Sequence, residues 1–69
     1  MNKRRKSREL RAAAEVAIAA GGGPQLLASK LGITSQAVSQ WWRIPSGRVV
    51  AVSHVTGIPR IKLRPDLYA

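Results

Sequence analysis

Between Pro24 and Trp42 the chain reads PQLLASKLGITSQAVSQWW, with apolar positions at helical spacing on either side of a single glycine. Leu27, Ala28 and Leu31 recur at intervals of one helical turn before Gly32, and Val38 and Trp41 do so after it. The pattern predicts two short helices joined by a tight turn at Leu31-Gly32-Ile33. Gly32 stands where the first helix must stop, and glycine accepts the left-handed conformation such a turn requires. Thr34 follows as an N-cap, its hydroxyl placed to accept a free amide of the second helix. Ala28 is small where two steeply crossing helices must touch, since a larger side chain would push them apart. Leu27, Leu31, Ile33, Val38 and Trp41 supply the apolar contacts between them.

The flanking patterns are also helical. Leu10, Ala14, Ala17 and Ile18 form a stripe on a helix expected from Ser7, as its cap, to about Ala20, and its alanines favour helix strongly. Gly21-Gly22-Gly23 ends it, and Pro24 takes the favoured first position of the next helix. On the other side, Pro45 forces Ile44 out of the helical region, so the second motif helix is expected to reach about Trp42 and stop at Arg43. A further helix is expected from Pro45 or Ser46 to Thr56, stopped by Gly57. Val49, Val52 and Val55 would face the core, with Val50 and Ala51 filling its sides. Its four valines suit a strand as well, but a length of 11 residues between a proline start and a glycine stop decides for helix. Pro59 then opens a single turn, Arg60 to Leu63. The expected fold is all-α, with four to five helices in one small domain over residues 7–69 and a flexible basic arm over residues 1–6.

Charge changes the picture more than size does. Twelve Lys and Arg stand against Glu9, Glu15 and Asp66, a net charge of +9, which points to a polyanionic partner: nucleic acid first, an anionic membrane second. The 69 residues contain no cysteine, so disulfides and cysteine zinc sites are excluded. No apolar run approaches the roughly 20 residues of a membrane span. Arg11 and Glu15 interrupt the stretch after the basic start, so a secretory signal is not expected. A cytoplasmic bacterial or phage-infected setting fits. Met1 to Arg11 carries Lys3, Arg4, Arg5, Lys6, Arg8 and Arg11; such an arm can follow a phosphate backbone or enter a minor groove.

The turn glycine, small residue and apolar spacing resemble the helix-turn-helix of DNA-binding regulators. At about 100° per residue, Ala37, Val38, Trp41 and Trp42 share one arc of the second helix. Gln36, Ser39, Gln40 and Arg43 share the opposite arc, with Ser35 at its edge. That polar arc holds amides and hydroxyls and no acid, the chemistry that meets base edges: Gln pairs bidentately with adenine, and Ser donates or accepts. Ser35, Gln36, Ser39 and Gln40 are therefore the candidate base contacts. Gln25, Thr34 and Arg43, with Lys3, Arg4 and Arg5 of the arm, are the candidate phosphate or groove contacts. Trp42 is expected to pack over the following loop, with a part in a dimer contact as the alternative.

Residues 21–68 bring the resemblance closer through QAVSQWW, IP followed by RV, TGIPR and the closing LRPDLY. These resemble the YdaS-type antitoxin and Cro-like phage repressor family. The resemblance implies a compact five-helix domain of the lambda-repressor type that binds operator DNA and regulates transcription. Related repressors place a Gln at the first motif position; here that position is Pro24, with Gln25 next. The resemblance also implies a homodimer on a two-fold operator, and the apolar C-terminal segment with Ile61, Leu63, Leu67 and Tyr68 is a candidate dimer surface.

Other chemistry finds little support. His54 is the sole histidine, and the three acids are too scattered for acid–base work or metal ligation. The glycine run lacks a preceding strand and a following Lys-Ser or Lys-Thr, so no nucleotide loop is present. The expectation is a non-enzymatic, cofactor-free protein that binds double-stranded DNA as a repressor. The alternatives are the antitoxin of a toxin–antitoxin pair, with a toxin as second partner, and a membrane-active basic helix whose mainly alanine stripe suits a bilayer poorly.

Overall fold

The computed structural model describes residues 3–68, with side chains described from Ser7 onward. Helix α1 spans Lys3–Ala20, α2 Pro24–Leu31, α3 Ser35–Ser39, α4 Val49–Thr56 and α5 Arg60–Leu63, with a single 3₁₀ turn at Ser46–Arg48 leading into α4. The described residues are thus all-helical, as the periodicity predicts.

The core forms where the small and apolar positions of each helix converge. Ala14, Ala17, Leu27, Ala28, Val38, Trp41, Ile44, Val49, Val52 and Leu63 make one buried cluster, and Leu10 is buried above it on α1. Ile18, Leu31, Ile33, Val55, Ile58 and Tyr68 pack against it from the rim. With alanines facing inward, α1 can lie close against α2, α4 and α5. Helices α2 and α3 form the tightest pair, and Ala28 is 2% exposed in that cluster.

Local signals set the ends of α2 and α3. Gly32 adopts φ 73° and ψ 30°. Its amide donates to the Ser29 carbonyl, and the Ile33 amide donates to the Ala28 carbonyl at 3.0 Å. This is a Schellman stop, which satisfies carbonyls that the end of a helix leaves free. Thr34 is extended, and its Oγ1 accepts the Ala37 amide at 3.1 Å, the N-cap bond expected for α3. Gly57 stops α4 at φ 76°.

Several expectations need correction. The first helix begins at Lys3 rather than at a Ser7 cap, because Lys and Arg are good helix formers and extending a docked helix is cheap. Residues 3–6 are therefore helical backbone, while Met1 and Asn2 lie outside the described residues. The second motif helix ends at Ser39, capped by Gln40, instead of reaching Trp42. The Trp41 amide turns back to the Val38 carbonyl at 3.1 Å, a tightened last turn. The chain then swings Ile44 into the core, where it is fully buried. Trp42 consequently leaves the apolar arc and stands 64% exposed, and Val50, expected at the side of its helix, is 49% exposed.

At the C-terminus, Leu63 is a core residue at 1% exposure and is not free for a dimer surface; Ile61 and Leu67 remain exposed. Arg64, unremarked in the sequence, is buried. Its Nη1 donates to the Ile44 carbonyl at 2.7 Å, and its Nε and Nη2 donate to the two Asp66 carboxylate oxygens at 2.9 and 2.7 Å. That hydrogen-bonded carboxylate raises the Arg64 pKa above its ordinary value, against burial, which lowers it.

Candidate nucleic-acid interface

The exposed polar face of α3 is built by what lies under it. Val38 is fully buried and fixes the rotation of the helix about its axis, while the α2–α3 turn fixes its crossing. Side chains one turn apart share a face, so Ser35 with Ser39, and Gln36 with Gln40, project together. Gln36, Ser39 and Gln40 are exposed and Ser35 is half-buried at the edge. Gln40 keeps helical dihedrals, φ −86° and ψ −2°, and its amide bonds the Gln36 carbonyl at 3.1 Å, so it continues the α3 register as a cap. The structure thus brings the four candidate base-reading residues onto one short helix.

The candidate phosphate contacts are more dispersed. Thr34 is exposed at the start of α3; its oxygen is engaged by the cap, yet its hydroxyl proton remains available to donate. Gln25 is exposed in the first turn of α2, the helix packed on α3. Arg43 is exposed, but it sits in the loop after α3 rather than on the helical arc assigned to it. Lys3, Arg4 and Arg5 belong to the first turns of α1, and their side chains lie outside the described residues. Along the helix axis they stand about 9–12 Å beyond Arg11.

Arg11 is a contact that sequence reasoning missed. Its Nη1 donates to the Trp41 carbonyl at 2.6 Å, its Nε donates to Glu15 Oε1 at 3.1 Å, and its guanidinium lies 4.8 Å from the centre of the Trp42 ring. The i,i+4 spacing to Glu15 was a legible signal; the link to residues 41 and 42 was not. This cation lies over one face of Trp42, and the ring is otherwise largely exposed.

Among the described residues no group of three or more His, Cys, Asp or Glu side chains could hold a metal ion. No described helix is long and apolar enough to cross a membrane. An open cleft of about 490 Å³ lies between α1 and Trp42, lined by Ser7, Arg8, Arg11, Ala12 and Glu15. It contains no nucleophile paired with a histidine.

Comparison with curated proteins and with solved structures gave no match. A protein-family profile described as "Bacterial toxin YdaS" matches residues 14–69, which include every helix but the first three turns of α1. The match covers well over half of the sequence, and the chain therefore belongs to the YdaS toxin family.

Proposed function

We propose that the protein is a sequence-specific DNA-binding transcriptional regulator, a Cro-like repressor whose α3 enters the major groove. One observation carries this reading: an acid-free face of Ser35, Gln36, Ser39 and Gln40, presented on a capped helix in a chain of net charge +9. Gln36 and Gln40 would meet base edges through their amides, with the two serines beside them. Thr34, Gln25 and Arg43 would donate to phosphates, and the basic start of α1, with Lys3, Arg4 and Arg5, would add affinity without sequence preference. A helix of five residues presents about one turn to the groove, so each subunit reads a short half-site. Two copies on a two-fold operator, half-sites about 34 Å apart, would give adequate specificity. Repression would then be steric and would involve no catalysis or cofactor, in the cytoplasm of a bacterial cell.

The family description favours a second reading, in which the protein belongs to a toxin–antitoxin pair, binds a toxin partner and represses its own operon. Recovery of bound duplexes from a random pool tests the DNA-binding core common to both readings. A recovered consensus supports it, and a pool that stays random through successive rounds refutes it. With the consensus in hand, Gln36→Ala and Gln40→Ala should each weaken binding by about 1–3 kcal/mol on that site and little on random duplex. Equal losses on both would remove these residues from base reading.

A further inference from the structure

We propose that Arg11 is a positioning residue for α3, and that the basic N-terminal helix is thereby part of the recognition unit; the role in specificity rests on the DNA-binding reading above. Helix α3 has five residues and packs chiefly against α2. So short a helix has little internal stiffness, and its aim depends on how its two ends are held. Thr34 holds the front end through the cap bond. At the rear, the chain leaves the helix at the Gln40 cap, and the carbonyl of Trp41, the first residue beyond it, has no place in the helical ladder and needs a donor from elsewhere. Arg11 supplies that partner at 2.6 Å, from 30 residues away in sequence.

The guanidinium is itself held in place. Glu15, one turn along α1, accepts its Nε at 3.1 Å, and the guanidinium carbon lies over the Trp42 ring, 4.8 Å from its centre. A planar fork can donate in two directions while stacking on an indole; an ammonium group cannot. The same device recurs three residues later, where Arg64, oriented by Asp66, binds the Ile44 carbonyl. The segment leaving α3 is therefore pinned at Trp41 and at Ile44 by two arginines from opposite ends of the chain. Of the three acids in the sequence, two orient these arginines.

Base reading tolerates misplacement of only about 0.5 Å or 10–20° before directional bonds weaken. Releasing the rear of α3 should therefore lower specific affinity while leaving charge-driven binding intact. The test uses the full chain carrying Arg11→Lys, Glu15→Gln or Arg11→Ala, with Arg8→Ala as a control for charge. Binding to a selected duplex and to random duplex is followed across a salt series, and amide hydrogen exchange at Gln40 and Trp41 is followed in the free protein. For Arg11→Lys, affinity for the selected duplex should fall on the order of tenfold with random binding unchanged, the cost of losing one charge-assisted bond that holds the competent geometry. Its salt slope should match the parent's, and Gln40 and Trp41 should exchange faster. Glu15→Gln should shift both readouts in the same direction by less.

The proposal is overturned if Arg11→Lys and Arg11→Ala leave exchange at Gln40 and Trp41 unchanged. It is also overturned if Arg11→Ala weakens both duplexes alike and flattens the salt slope by about one unit, as loss of a phosphate contact would. Should Arg11→Ala not fold, Arg11→Lys and Glu15→Gln decide. If the parent protein prefers no duplex, the DNA reading fails on its own account, and hydrogen exchange alone judges the clamp.

Discussion

Replacing Arg64 by alanine should be among the most damaging single changes in this protein. The side chain is 8% exposed, and its Asp66 partner's is 17% exposed. Truncation removes two bonds to the carboxylate and one to the Ile44 carbonyl, leaving a mostly buried anion and a buried acceptor without their partner. Breaking such a pair from one side costs about 3–5 kcal/mol, and the partial exposure of Asp66 argues for about 3. A domain of this length has a total stability of about 3–10 kcal/mol. At roughly 4–8 °C per kcal/mol, the melting temperature should fall by about 12–24 °C. Thermal unfolding followed by far-ultraviolet circular dichroism measures it. Arg64→Lys, which keeps the charge but cannot hold both partners in one plane, should fall between parent and alanine variant. Because Asp66 raises the folded-state pKa of Arg64, the stabilisation is complete below the ordinary arginine value and is lost only as pH rises past the raised one. The difference between parent and Arg64→Ala should therefore be the same at about pH 6 and about pH 9. A variant melting within about 4 °C of the parent, equivalent to no more than ~1 kcal/mol, would refute the claim that this cluster fastens the loop after α3.

Three further outcomes are expected. Ala28→Leu should cost about 1–3 kcal/mol by overpacking the α2–α3 crossing, and an unchanged melting curve would mean that the crossing does not depend on a small residue there. Gly32→Ala, at φ 73°, should cost about 1–2 kcal/mol in the same assay because alanine is strained in the left-handed region; equal stability would show that the turn can rearrange. Deleting residues 2–6 removes positions ahead of Leu10, the first core residue of α1 among those described, so melting should change little. Binding should weaken on specific and random duplexes alike, with a salt slope flatter by roughly one to four units, and an unchanged slope would reduce this segment to a solubilising tail.

The helix-turn-helix was legible because its instructions are local. Gly32 and Ile33 close α2 on carbonyls three and five residues back, Thr34 caps α3 three residues ahead, and Ala28 marks the crossing by its size. Pro24, Gly57 and Pro59 likewise act within a turn of their own positions, and the helices they bound lie where the sequence indicates. The polar face was legible for the same reason: helical periodicity assigns Gln36 and Gln40 to one side without reference to anything else in the fold.

Only the tertiary structure decided where α3 ends, which tryptophan is buried and which arginines are structural. Periodicity carried α3 through Trp42, but the helix ends at Ser39 and the chain turns at the Gln40 cap before it buries Trp41 and Ile44. Ile44 looked like a mere neighbour of a helix-breaking proline, and it is one of the largest fully buried side chains. Arg11 and Arg64 were two among twelve basic residues, and the acids near them in sequence, Glu15 and Asp66, signal at most a local ion pair, not a clamp on a distant carbonyl. Each became identifiable when folding placed it beside a main-chain carbonyl, 30 residues away for Arg11 and 20 for Arg64. A spacing rule describes contacts along one helix, whereas these bonds exist because separate helices enclose the same loop and an enclosed carbonyl needs a donor.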